Sequence, residues 1–124
     1  LGEGYYSAGT SVSRDFLNAL IYELFPEPIV EVTGSHFVDV TLNRIHDKLA
    51  VNLVNTGGPY NNPNIKVFDE LPPAGPLQVS IMCAKKPDKV TLLPAGNELI
   101  YDYINGKIQL TLPRLEIHDI IVVE

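Results

Sequence analysis

The 124 residues contain no tryptophan, one cysteine and one methionine. A lone thiol excludes an internal disulfide. Cys83 lies in the apolar run Val79 to Ala84, where a buried, unreactive thiol is expected. No apolar run approaches the roughly 20 residues that a membrane-spanning helix needs. A basic N-terminal region followed by an apolar stretch is also missing, so no signal peptide is read in the chain. That absence, with the missing disulfide, leans toward a cytoplasmic setting. Positive charge is scarce too: nine Lys and Arg face 15 Asp and Glu, a formal net charge of −6. Without a basic stripe, nucleic acid and anionic membrane are not expected as partners. Lys85, Lys86 and Lys89 are broken by Pro87 and Asp88 and read as a solvated turn.

Hydrophobic residues make up 45% of the chain and charged residues 19%, which excludes a disordered chain. A chain of this length buries about two-thirds of its surface on folding and needs no staples. Charge is uneven. Residues 1 to 36 hold Glu3, Asp15, Glu23, Glu27 and Glu31 against Arg14 alone, four of the six net negative charges. The chain also begins at Leu1 and not at Met, which reads as a cut made inside a longer protein.

One helix is predicted near the N-terminus, capped by Ser13 with Asp15 in its first turn. Phe16, Leu17, Leu20, Ile21 and Leu24 form a single stripe at helical period, and Pro26 and Pro28 end the helix. The stripe finds no partner in residues 1 to 12, so it must cover another part of the fold or meet another molecule. Phe16, Leu20 and Leu24 are therefore predicted as a contact surface. After Pro28 the period changes to two. Phe37 to Arg44 and Leu49 to Asn55 form a hairpin around Ile45 to Lys48. Residues 56 to 64 are a loop, Ile65 to Phe68 a short apolar piece, and Leu71 to Pro76 a second loop. Leu77 to Ala84 and Lys89 to Leu93 are strands. Glu98 to Ile104 and Lys107 to Leu112 flank Asn105-Gly106, a strong hairpin signal because both turn residues take φ > 0. Ile117 to Val123 is expected to be buried on both faces. About seven or eight short strands, with turn signals every 8 to 12 residues, predict a mostly β, antiparallel, Greek-key-type β-sandwich with one N-terminal helix.

Chemistry is sparse. His36, His46 and His118 have no second ligand at metal spacing, and no metal or cofactor is expected. A loop calcium at Asp69, Glu70 or Asp88 is the one metal reading that the acids leave open. Gly9 to Ser13 fails the G-x-S-x-G pattern, Gly2-Glu3-Gly4 is too short for a phosphate loop, and no catalytic residue is assigned. Tyr60 stands in a clear loop beside Asn61 and Asn62. Its ring could stack on a sugar while the amides meet hydroxyls, which gives a carbohydrate-binding module as the alternative function. Tyr101 and Tyr103 alternate on one predicted strand as a half-exposed stripe.

Three stretches together resemble the C-terminal end of bacterial beta-galactosidase-like and hypothetical glycoside hydrolases. They are Arg14 to Pro26, Val38 to Arg44 leading into Leu49 to Asn55, and the ending Leu110 to Glu124. In those proteins a catalytic TIM barrel is followed by a flavodoxin-like domain similar to class I glutamine amidotransferases, then by a small β-sandwich. The resemblance implies that residues 1–28 are the helical tail of a preceding domain and residues 29–124 a C-terminal β-sandwich. The family's catalytic carboxylates belong to the barrel, and no position here matches them. A non-catalytic accessory module follows, with an architectural or interdomain role. Its partners would be upstream domains of the parent, a second copy of the chain, or carbohydrate.

Overall fold

The computed structural model describes residues 10–58 and 70–124. Helix α1 (Ser11–Leu24) precedes nine strands. They are β1 (Val30–Thr33), β2 (Val38–Ile45), β3 (Lys48–Asn55), β4 (Leu77–Met82), β5 (Val90–Leu93), β6 (Asn97–Glu98), β7 (Asp102–Ile104), β8 (Lys107–Leu112) and β9 (His118–Val123). One sheet runs β1-β4-β8-β7 and the other β2-β3-β9-β5-β6, with every pairing antiparallel. The chain crosses between the sheets five times, so neighbours such as β3 and β9 are distant in sequence, as in a Greek key. This is the β-sandwich that the strand spacing predicts.

Alternation builds the core. Leu77, Val79 and Ile81 of β4 and Ile108, Leu110 and Leu112 of β8 face Val51 and Leu53 of β3, Ile121 and Val123 of β9, and Val90 of β5. Side chains on a strand point to alternate faces, so each strand gives every second residue to this layer. Ala74 and Leu115 close one end, bridging through both backbone hydrogen bonds at 2.9 and 2.8 Å. The Asn105-Gly106 turn has φ of 51° and 78°, and the β2–β3 hairpin turns at His46 with φ of 55°.

Several expectations are corrected. The helix starts two residues before Ser13. Thr10 is the N-cap, because its carbonyl accepts the first helical bond from the Arg14 N–H. Asp15 consequently lies beyond the first turn, which holds no acid. The stretch Glu98 to Ile104 is two strands: β6 pairs with β5 in one sheet and β7 with β8 in the other. The chain changes sheets at Leu99 to Tyr101, and that break, with β1, raises the strand number to nine. Strand β9 is buried on one face only, by Ile121 and Val123, while Ile117 lies outside it and exposed. Cys83 is half-buried, its thiol donating to the Lys85 carbonyl at 2.8 Å. Tyr101 and Tyr103 pack against the core, and their hydroxyls donate to Pro87 and Cys83 carbonyls at 2.7 and 2.8 Å. Both are half-exposed, as their alternation predicts, and they pin the loop between β4 and β5.

Asp119 is opposite Leu53 in the β3–β9 register and so shares the inner face of its sheet. Burial raises the pKa of its carboxyl above 3.8; His118 opposes this and Glu116 adds to it. A carboxyl with a raised folded pKa stabilises the fold at low pH, and the contribution is lost as pH rises through that value. Asp119→Asn is therefore expected to raise the melting temperature at neutral pH, with the gain closing below about pH 4. Thermal melts across that range check it, and a variant less stable than the parent at neutral pH contradicts it.

Candidate functional site

The contact surface expected from sequence is carried by α1. Phe16, Leu20 and Leu24 recur every four residues on one side of the helix, and they are 49%, 41% and 74% exposed. Ile21 and Phe25 extend the apolar surface and are also exposed. No residue of α1 is buried. Ser13, Arg14 and Leu17 are only half-covered, so the apolar stripe does not pack into the sandwich core.

The helix is nevertheless tied to the sandwich. Tyr22 Oη donates to Glu31 Oε1 on β1 at 2.8 Å. That bond raises the Tyr22 pKa above its ordinary value, helped by partial burial and the Glu31 charge. The short link after the helix is held where the Met82 N–H donates to the Ile29 carbonyl at 2.7 Å. The helix presents its apolar face outward. Phe16 and Leu20 are already half covered, so completing the burial of Phe16, Leu20 and Leu24 would contribute about 1–2 kcal/mol for each side chain.

Tyr60, Asn61 and Asn62, the residues of the carbohydrate-binding alternative, lie outside the described residues, as does Asp69. The structure thus brings Phe16, Leu20 and Leu24 onto one surface. No group of three His, Cys, Asp or Glu side chains converges among the described residues. Among them, too, no helix is long and apolar enough to cross a membrane. His118 is exposed at the start of β9, its Nε2 3.4 Å from Asn52 Oδ1, and His46 sits in a hairpin turn.

Sequence reasoning missed Asn55. It is the one buried polar residue among those described, 6% exposed at the end of β3. Its Nδ2 donates to the carbonyls of Pro72 at 2.9 Å and Glu116 at 2.8 Å, with a longer contact to Leu115. Its Oδ1 accepts from the Gly57 N–H at 3.0 Å. Asn55 ties the segment after β3 to the segments leading into β4 and β9. Its only sequence signal was position: it is the fourth of the alternating inward residues Leu49, Val51, Leu53 and Asn55, and the only polar one.

These features define an antiparallel β-sandwich carrying an amphipathic helix whose apolar face is open. No protein-family model and no curated protein matches the chain. Among solved structures, it is similar to alpha-L-fucosidase isoenzyme 2 from Paenibacillus thiaminolyticus, with a TM-score of 0.83 and 20% sequence identity. The match covers 98% of this chain and 19% of that protein. At that identity the likeness is one of fold. A match over 98% of the chain is too extensive to omit the 14-residue helix. This chain therefore spans about a fifth of the length of the protein that it matches.

Proposed function

We propose that the chain is a non-catalytic accessory β-sandwich of a glycoside-hydrolase-like protein, and that α1 is the seam joining it to the rest of that protein. In this reading residues 1–28 belong with a preceding domain and residues 29–124 form a C-terminal sandwich. The observation that carries it is a helix of 14 residues that buries none of them and yet falls within the matched region. An unpartnered apolar stripe held in place by a hydrogen bond is what remains when one side of an interdomain contact is seen alone. The similarity to a fucosidase supports the class of parent protein, and the 19% coverage supports an accessory role.

Leu20→Asp separates a seam from a core contact. In this chain alone the substitution is expected to cost within about 0.5 kcal/mol, as at other surface sites. Within the longer parent it is expected to open the junction, read as new protease cleavage near residues 25–29. A fall of several degrees in the melting temperature of the 124-residue chain would show that the stripe is packed internally, and would sink the proposal. Equal protease resistance of the mutant and wild-type parents would sink it too.

A further inference from the structure

Strand β2 is the outermost strand of the five-stranded sheet, and among the described residues no strand pairs with its other side. Its eight residues run against β3 without a bulge, from Val38 opposite Asn55 to Ile45 opposite Lys48. The other edge strands are shorter: β1 has four residues, β7 three and β6 two. An edge of this length is normally guarded by proline, lysine, a bulge or an inward charge. Strand β2 has no proline, lysine or bulge; its one inward-facing charge is Arg44, opposite Leu49 near the end of the strand.

The pleat fixes which backbone groups face outward. A two-residue turn closes on the hydrogen-bonded pair Ile45 and Lys48. Asn43, Thr41 and Asp39 therefore also turn their N–H and C=O toward β3. Two contacts agree: the Phe37 carbonyl accepts from Thr56 N–H at 2.8 Å, and the Thr41 carbonyl receives Asn52 Nδ2 at 3.4 Å. Val38, Val40, Leu42 and Arg44 consequently offer their N–H and C=O groups to the open edge. Val40 and Leu42 lie on the inner face, opposite Leu53 and Val51. Each is still more than a third exposed, so the facing sheet stops short of this edge. Phe37 and Ile45, at the two ends, are more than half exposed.

We infer that β2 pairs antiparallel with β2 of a second copy of this chain, about a two-fold axis through Thr41. Antiparallel pairing between outward-facing groups requires even-numbered residues opposite even-numbered ones. The register centred on Thr41 places Val40 opposite the partner's Leu42 and Val38 opposite the partner's Arg44, each pair occurring twice. Centring on Leu42 instead pushes Val38 beyond the strand and loses ladder bonds. The Thr41 register also makes the side chains self-complementary. Val40 meets the partner's Leu42 on the inner face, and Phe37 meets the partner's Ile45 on the outer one. Asp39 faces the partner's Asn43, and the two Thr41 side chains meet each other. No like charges oppose one another, and all four exposed apolar side chains find apolar partners. Such pairing joins the two five-stranded sheets into one, and it leaves the α1 face free.

Sedimentation and cross-linking on the 124-residue chain test this. The expected result is a concentration-dependent species of twice the 13.7 kDa chain mass. Leu42→Pro removes an outward N–H and no bond to β3; it should weaken self-association by at least about tenfold while the circular dichroism spectrum is kept. In a Cys83→Ser background, Thr41→Cys should form a disulfide-linked dimer on mild oxidation. Cα atoms of such a non-hydrogen-bonded pair lie about 4.5 Å apart, within disulfide reach. Asn43→Cys should not cross-link, because in this register it faces the partner's Asp39. A chain that stays monomeric at every soluble concentration overturns the inference. So does equal cross-linking of the two cysteine variants, or a dimer that survives Leu42→Pro and is lost in Leu20→Asp.

Discussion

Asn55→Ala is expected to lower the stability of this domain by about 2–4 kcal/mol, a fall of roughly 10 °C in melting temperature. The size follows from what stays behind. The truncation deletes the donor to Pro72 and Glu116 and the acceptor for Gly57. Those three backbone groups are then stranded beside a site that is 6% exposed and poorly reached by water. A hydrogen bond contributes only about 1 kcal/mol net, whereas an orphaned buried group costs about 1–3 kcal/mol. The asymmetry makes loss of the amide worse than a count of bonds implies. Asn55→Asp is the sharper control. It keeps an acceptor for Gly57 but turns a second oxygen toward two carbonyl oxygens, so it should be at least as destabilising at neutral pH. Denaturant titration measures both. An alanine variant that melts within a degree or two of the wild type would mean that the amide clamp contributes nothing.

Gly34→Ala should have an effect as large, for a different reason. Gly34 turns the chain after β1 with φ of +106°, a conformation that costs an L-residue about 1–3 kcal/mol. A Cβ there would also land on the Pro76 carbonyl oxygen and crowd the Leu77 backbone. Neither can retreat freely, because Leu77 opens β4 and its side chain is fully buried. Strain and clash together are expected to exceed about 3 kcal/mol, near the upper end for single substitutions. Gly96 is the comparison. Its φ is +76°, but a Cβ there meets nothing within 4 Å. Gly96→Ala should cost only the backbone term, about 1–2 kcal/mol. Equal losses at Gly34 and Gly96 would show that close approach to β4 plays no part.

The hairpins are legible in the sequence because a turn and its flanking strands lie within a few residues of one another. Asn105-Gly106 supplies both positive φ values, and the alternation on either side sets the register. The same locality makes Val51 and Leu53 simple to place: both are inward, as the period of two requires. Glu98 to Ile104 defeats sequence reading for the converse reason. Leu99, Tyr101 and Tyr103 keep a period of two across it, and the one break, the apolar and exposed Ile100, does not by itself say that the chain leaves β5 for β8. The switch depends on Tyr101 and Tyr103 finding carbonyls in the loop after β4, fourteen and twenty residues away. The N-cap lies three residues earlier than Ser13, at Thr10, a difference that only the backbone geometry shows.

Of the site, the stripe of Phe16, Leu20 and Leu24 is legible because helical period is a property of neighbours. That the stripe faces outward is not, because burial is a relation between distant segments. The openness of β2 follows the same logic. Its sequence alternates like that of a buried strand, and its place at the sheet edge is set by the pairing of β3 with β9, more than sixty residues further on.

The sequence by itself determined the class of fold, the helix and its apolar face, and the turns at His46 and Asn105. Each rests on interactions between residues close along the chain. Only the tertiary structure decided which apolar residues are covered, that Asn55 clamps three segments, that Gly34 must lie against Pro76, and that among the described residues no strand pairs with the outer edge of β2. Those outcomes depend on contacts whose loop-closure entropy is offset only when the whole sandwich assembles, so no short stretch of sequence carries them.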